Sequence, residues 1–306
     1  MLRLVNYGKH FVEWKELRDQ FMAAEPFQHV EIEELVRPDR LQDLASAFPD
    51  ENWENWQMYP SEHVPNSKVC ESTTVLPDVI REFILELNSG PFITLLEKVT
   101  GIEGLLPDPH LKGGGMHLSL AGGALTPHTD YYVKDKDPRY RRLNLILYLN
   151  DNWQPQHQGC FELWDTQCTN VVKEVPPIKG KALLFRTDSN SVHGFSKPVR
   201  GPGRKSIALF YYTARDNLKE FGGTTATYWR PGILEATGPG DWLRLLGQGL
   251  MWTFSRWFGY LSWQCQRAAT RLSEKSRLRR HDELPADANE GNHEAPAAQD
   301  PPIKGD

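Results

Sequence analysis

The chain has 306 residues, 39% hydrophobic and 25% charged, with a mean hydropathy of -0.55; it can bury a sizeable core as one large domain or two small ones and is too polar for wholesale insertion into a membrane. Its net charge of -5 is concentrated in residues 282–306, where seven acids face one lysine, so residues 1–281 are left at +1; a body so near neutrality offers no electrostatic case for binding nucleic acid. The four cysteines (Cys70, Cys160, Cys168, Cys265) have no CxxC spacing, which argues against a zinc ribbon, a thioredoxin-type site or a disulfide framework.

The N-terminal stretch lacks the apolar run of a secretory signal, so a cytoplasmic location is expected. Phe11, Trp14, Leu17 and Phe21 then recur at helical spacing, and Phe27–Ile32 alternates like a strand. Pro38 opens a helix with Leu41, Leu44 and Phe48 on one side. Pro77 opens another, with Ile80, Phe83, Ile84 and Leu87 buried and Gly90 as its stop, and Pro91–Val99 forms a third that ends at Gly101. The middle third changes character. Apolar runs at Met116–Leu120, Leu143–Asn150, Cys160–Trp164, Ala182–Thr187 and Ser206–Thr213 are separated by Gly, Pro, Asn and Asp. Short strands so punctuated predict an antiparallel sandwich or barrel, with tight turns at the glycine clusters 113–115, 122–123 and 201–203.

Beyond residue 236 the pattern turns helical again. Leu243, Leu246, Leu250, Phe254, Trp257, Phe258 and Leu261 share a face, while Gln248 and Arg256 interrupt any clean membrane span. This helix, at 242–263, packs against the barrel or a second subunit, or else lies peripherally on a membrane with the basic residues that follow it. The acidic tail 282–306 has almost no large apolar residues and is expected to be disordered.

The chemistry centres on Thr126-Pro-His128-Thr-Asp130. A His and an Asp two apart can aim both side chains at one point, but such a pair alone is equally a turn aspartate beside a surface histidine. The context adds to it. His193 follows the predicted strand Ala182–Thr187, and Arg204 opens an apolar strand eleven residues later. Alternation puts Arg204, Ser206, Ala208 and Phe210 on one face, and an inward arginine is costly unless it meets an anion. Two histidines and one carboxylate, with three metal positions open, make the facial triad of non-haem Fe(II) oxygenases. A buried arginine nearby is what a dicarboxylate cosubstrate requires.

Several ordered motifs extend the pattern between about Phe27 and Thr213: Pro107-Asp-Pro109 with Gly113-Gly-Gly-Met-His117, then His128-Thr-Asp130-Tyr, Arg141 through Asn150, Gly159 through Asp165, His193-Gly and Arg204-Lys-Ser. On these the sequence resembles the Fe(II)/2-oxoglutarate-dependent dioxygenases of the prolyl 4-hydroxylase-like group. The resemblance implies an α+β chain built on a double-stranded β-helix, a jelly-roll, cupin-like barrel, with N-terminal supporting helices and a C-terminal helical extension. The expected domains are 1–236 (barrel core about 112–213), 237–281 for the extension and 282–306 for the tail.

The resemblance also implies roles. His128, Asp130 and His193 would bind Fe(II). Arg204, aided by Tyr148, would hold the distal carboxylate of 2-oxoglutarate, and Asn144, Ile146 and Ser206 would line the same pocket. The implied reaction hydroxylates an unactivated C–H bond with release of succinate and CO2, with ascorbate as reductant. Its substrate would be a prolyl residue of a peptide or a small molecule such as an amino acid or natural product. The contrasting expectation is a barrel that binds metal or ligand without turnover. Two departures matter: Gly201-Pro-Gly203 lengthens the His-to-Arg spacing, which makes Lys205 a competitor of Arg204, and Gln158-Gly159 stands where relatives have Gly-Gly. His117 is either a pocket residue or a plain strand histidine. Tyr59, Tyr131 and Tyr132 form either a lid or ordinary packing, with packing the reading for Trp53 and Trp56.

Overall fold

The computed structural model describes residues 4–59, 61–132, 139–214 and 227–230, together with 261, 264 and 265. The chain divides into two units, Met1–Gly259 and Tyr260–Asp306, and every element named below belongs to the first. The predicted amphipathic helix (Leu261 apart) and the acidic tail lie outside the described residues. No helix among those residues is long and apolar enough to cross a membrane.

Four helices precede the sheets. Helix α1 (Tyr7–Ala23) buries Leu17 and Phe21 but leaves Phe11 exposed, a narrower apolar face than its spacing predicts. Helix α2 (Pro38–Ser46) starts at its proline, whose fixed φ suits a first turn. Helix α3 (Asp78–Leu87) buries Ile80, Phe83, Ile84 and Leu87. Gly90 is not its stop: α3 ends at Leu87, and Gly90 is already the first residue of α4 (Gly90–Thr100), recruited by Pro91 in its opening turn. Helix α4 does end at Gly101, whose φ of 70° is the left-handed geometry glycine adopts without strain.

The strands are β1 (His29–Ile32), β2 (Gln57–Met58), β3 (Ser67–Cys70), β4 (Leu105–Pro107), β5 (Gly115–Ser119), β6 (Leu125–Thr129), β7 (Tyr140–Tyr148), β8 (Phe161–Trp164), β9 (Val171–Val175), β10 (Ala182–Arg186), β11 (His193–Phe195), β12 (Arg204–Thr213) and β13 (Tyr228–Trp229). One sheet runs β1-β10-β7-β12-β5-β3-β2, with β4 also pairing β12. The other runs β13-β6-β11-β8-β9. From β5 to β12 the chain switches repeatedly between sheets, so β5, β12, β7 and β10 lie in the first and β6, β11, β8 and β9 in the second. This is the jelly-roll order of a double-stranded β-helix. The sheets stay separate ladders and do not close into a hydrogen-bonded barrel.

Alternation along β7 and β12 separates two environments. Leu143, Leu145, Leu147, Ile207, Leu209 and Tyr211 join the core with the helices on one face of the large sheet. On its other face Tyr148, Leu183 and Phe185 meet Phe161, Leu163 and Val175 of the small sheet. Between the sheets lies the pocket.

Candidate metal centre

The small sheet brings the two distant histidines together. His128 on β6 and His193 on β11 are direct cross-strand partners, with ring centroids 4.5 Å apart. Asp130, two residues beyond His128, returns to the same face. Its Oδ1 lies 3.6 Å from His128 Nε2 and its Oδ2 3.4 Å from His193 Nε2. All three residues are buried, and one ligand atom from each lies within 4.8 Å of the others.

The histidines are preset for a metal. His128 Nδ1–H donates to the Thr126 carbonyl at 2.9 Å and His193 Nδ1–H to the Ser191 carbonyl at 2.8 Å. Each bond fixes the tautomer and leaves an Nε2 lone pair turned toward Asp130. Burial and the neighbouring His128 push His193 down to about 3, against the pull of Asp130, so its imidazole is neutral and able to ligate. Burial alone would raise the Asp130 carboxyl, but Arg141 and the two histidines hold it well below the usual carboxylate range. Two imidazole nitrogens and one carboxylate oxygen on one point form a donor set that fits Fe(II).

Arg141, Asn144 and Thr187 support the carboxylate. Arg141 Nη2 reaches Asp130 Oδ2 at 3.1 Å, and Asn144 Nδ2 donates to the same oxygen at 2.7 Å. Asn144 Oδ1 in turn accepts from Arg141 Nε at 2.8 Å and from Thr187 Oγ1 at 3.3 Å. Oδ2 is therefore occupied and Oδ1 is the oxygen left for a metal. Asn144 lines the pocket and ties Asp130 to Arg141 through its amide. Sequence reasoning missed Arg141 as a site residue for a definite reason. Strand parity from Asn144 predicts Arg142 inward, but a register shift between Tyr211 and Tyr212 sets Tyr212 opposite Arg141, and Arg141 packs over Phe210.

The other end of the pocket holds Arg204. Its guanidinium lies between the Tyr148 and Phe195 rings, 4.9 and 4.3 Å from their centroids. Nε donates to the Gly159 carbonyl at 2.9 Å and Nη2 to the Tyr148 hydroxyl at 3.4 Å. Arg204 is buried, and no carboxylate among the described residues pairs with it. Lys205 points to the opposite face, 5.7 Å from the Phe48 ring centroid. Ser206 and Ile146 line the pocket with Arg204, and Tyr148, whose hydroxyl burial pushes up to about 12, stays a neutral donor. Gly159, not Gln158, is the residue of this turn that meets Arg204, its carbonyl accepting from Nε. Gly159 has φ +65°, and a Cβ there would meet Val199 at 2.9 Å.

The mouth is aromatic. Tyr59, Tyr131 and Trp229 line it; Trp229 stacks on His63 at 4.5 Å and tilts over His128 at 4.7 Å. Nothing in the sequence flagged Trp229 or His63, because β13 reaches the site only through its pairing with β6. Tyr132 is buried against Tyr140, and Trp53 and Trp56 pack on the helical core.

Residues 115–212 match the model of the 2OG-Fe(II) oxygenase superfamily, a segment that contains all three triad residues, Tyr148 and Arg204. Similar solved structures include a Pseudomonas putida prolyl-4-hydroxylase, at 17% identity and a TM-score of 0.48, covering 66% of this chain and 100% of that one. Another is a Trichoplax adhaerens prolyl hydroxylase in complex with a hypoxia inducible factor oxygen degradation domain peptide, at 19% and 0.49, covering 67% and 91%. A third, HygX from Streptomyces hygroscopicus with nickel, 2-oxoglutarate and hygromycin B bound, stands at 11% and 0.44, covering 66% and 86%. No curated protein matches the chain.

Proposed function

We propose, from the match to the 2OG-Fe(II) oxygenase superfamily over residues 115–212, that this chain is an Fe(II)- and 2-oxoglutarate-dependent dioxygenase that hydroxylates an unactivated C–H bond. The observation that carries the reading is the pairing of two features in one pocket: a preset His128–Asp130–His193 donor set and, across from it, a buried Arg204 that no carboxylate among the described residues pairs with. An uncompensated buried guanidinium is expensive, and a dicarboxylate that reaches from the metal to Arg204 removes the expense. That second feature disfavours a barrel that merely holds a metal.

His128, Asp130 and His193 would hold Fe(II), which with 2-oxoglutarate supplies oxygen activation, with succinate and CO2 as coproducts. The chain's own residues orient and exclude. Arg141 and Asn144 hold Asp130, Arg204 and Tyr148 hold the distal carboxylate, and Phe161, Phe185, Phe195 and Ile146 keep the cavity apolar and poor in water. Peptidyl proline is the substrate class we favour. The cavity is about 160 Å³, small beside the roughly 300–1,000 Å³ typical of small-molecule sites. It has room for the cosubstrate and one small side chain, and the aromatic mouth offers faces to a pyrrolidine ring.

The first test is succinate release from purified protein given Fe(II), ascorbate and 2-oxoglutarate, repeated with Arg204→Ala. Mass spectrometry of cells with and without the protein then seeks products heavier by one oxygen. Protein that neither binds nor consumes 2-oxoglutarate would refute the proposed activity, and oxidised products confined to small molecules would refute the peptide substrate.

A further inference from the structure

The Pro107-Asp-Pro109 segment carries a buried carboxylate that the reading above leaves unused. It follows β4, which pairs with β12 so that Leu106 stands opposite Tyr212. On the other side of β12, the register shift between Tyr211 and Tyr212 sets Tyr212 opposite Arg141 on β7. Tyr212 therefore stands between this segment and the arginine that holds Asp130. Asp108 and Tyr212 are both buried, at 1% and 0% exposure. A carboxylate so buried is costly unless it is hydrogen-bonded. Its Oδ1 accepts from the His110 amide at 3.1 Å, and its Oδ2 accepts from the Tyr212 hydroxyl at 3.3 Å.

The direction of the next bond follows. A phenol has one proton to donate, and Tyr212 gives its proton to Asp108. Its oxygen is thus the acceptor in the 2.9 Å bond to the Tyr131 hydroxyl, and Tyr131 is the donor. With its hydroxyl so engaged, Tyr131 is held as a fixed ring in the wall of the pocket. Arg141 rests on that ring. Its guanidinium carbon lies 4.9 Å from the Tyr131 centroid and 3.3 Å from that of Phe210, a cation against two aromatic rings. The residues after Asp108 support the second ring as well, since a Cβ on Gly113 would meet Phe210 at 3.3 Å. One chain of contacts therefore runs from Asp108 through Tyr212, Tyr131 and Arg141 to Asp130 Oδ2, which Arg141 Nη2 reaches at 3.1 Å.

We propose that Asp108 is a positioning residue for the metal centre: through Tyr212 and Tyr131 it fixes Arg141, and Arg141 keeps Asp130 Oδ2 off the metal. The proposal rests on the Fe(II) reading and adds to it the means by which one carboxylate oxygen is withheld. An Arg141 that swings away releases Oδ2, and Asp130 can then chelate through both oxygens and close a position that 2-oxoglutarate needs.

The test loads full-length protein with Co(II), whose visible bands report coordination number, and then adds 2-oxoglutarate. Tyr212→Phe removes the middle link with little change of shape. It should shift the Co(II) bands and weaken 2-oxoglutarate binding to the Co(II) protein by about three- to tenfold. Asp108→Ala should do the same, and Asp108→Asn, which keeps an acceptor for Tyr212, should recover part of the loss. Because the links act in series, the Tyr212→Phe/Asp108→Ala protein should be no worse than the weaker single variant, within about twofold. Wild-type bands and 2-oxoglutarate affinity in both Tyr212→Phe and Asp108→Ala, with only the melting temperature lowered, overturn the positioning role and leave Asp108 a packing residue. Losses that add in the double variant overturn the series. Wild-type protein that binds no Co(II) overturns the metal centre itself, and the role of Asp108 with it.

Discussion

The triad side chains have separable duties. His128→Ala, Asp130→Ala and His193→Ala each remove one of three protein ligands and should each abolish Fe(II)-dependent turnover; wild-type activity in any one of them sinks the metal site. Asp130→Glu should fail as well, since Oδ2 is tied to Arg141 and Asn144 and a longer carboxylate cannot keep both that tie and the metal position. Asn144→Ala tests the support: Fe(II) affinity should fall about 10- to 100-fold. At the far end, Arg204→Ala should cost about 2–4 kcal/mol of 2-oxoglutarate binding and leave Fe(II) affinity nearly intact. Arg204→Lys should be milder, because an ammonium cannot make the fork, and Tyr148→Phe should cost about 1–2 kcal/mol. Anaerobic titrations of the variants check all of these. Should Lys205→Ala weaken binding where Arg204→Ala does not, the strand phase is off by one.

At the scale of elements, the strands built from long apolar runs were legible and the ones that carry the chemistry were much less so. Leu143–Asn150 and Ser206–Thr213 announce β7 and β12 by alternation, and both extend a few residues N-terminally in the structure. Strand β6 contains Thr126 and Pro127, which disguise a strand, and β11 is three residues long with a glycine at its centre. The residue types of the HxD pair and His193 point to metal chemistry, but nothing in their spacing shows that His128 and His193 are cross-strand partners. The Arg141 orientation depends on a bulge, which alternation cannot foresee. Gly159 shows how a turn serves the site. It places its carbonyl on Arg204 Nε with φ +65° and no room for a Cβ. Gly159→Ala should therefore lower stability by about 1–2 kcal/mol and raise the 2-oxoglutarate concentration needed for half-saturation. Thermal melts beside a ligand titration separate the two effects, and a variant unchanged in both removes Gly159 from the pocket's construction.

The whole molecule carries its buried imidazoles as a pH liability. His10, His29, His117 and His193 are all held below the ordinary histidine value, chiefly by burial. In the unfolded chain each takes up a proton near pH 6.5. In the folded chain His117 waits until about 4 and His193 until about 3. Between those limits the unfolded state binds more protons, so stability rises with pH and is lost as pH falls below about 6.5. Asp130, held below its ordinary value, adds a second loss only at lower pH, below about 4. Urea midpoints of metal-free protein should therefore drop from pH 7 to pH 5. Each fully differential imidazole contributes a slope approaching about 1.4 kcal/mol per pH unit. His193→Ala removes one such group, so its slope should be shallower by up to about one proton, even if its absolute stability differs. Metal acts in the same window, because it requires the neutral imidazoles that protons would take. A saturating redox-inert divalent ion should raise the midpoint more at pH 7 than at pH 5, and the His193→Ala protein should show little of that difference. Flat stability across the window, or an unchanged slope in His193→Ala, would show that these imidazoles ionise in the fold as freely as outside it.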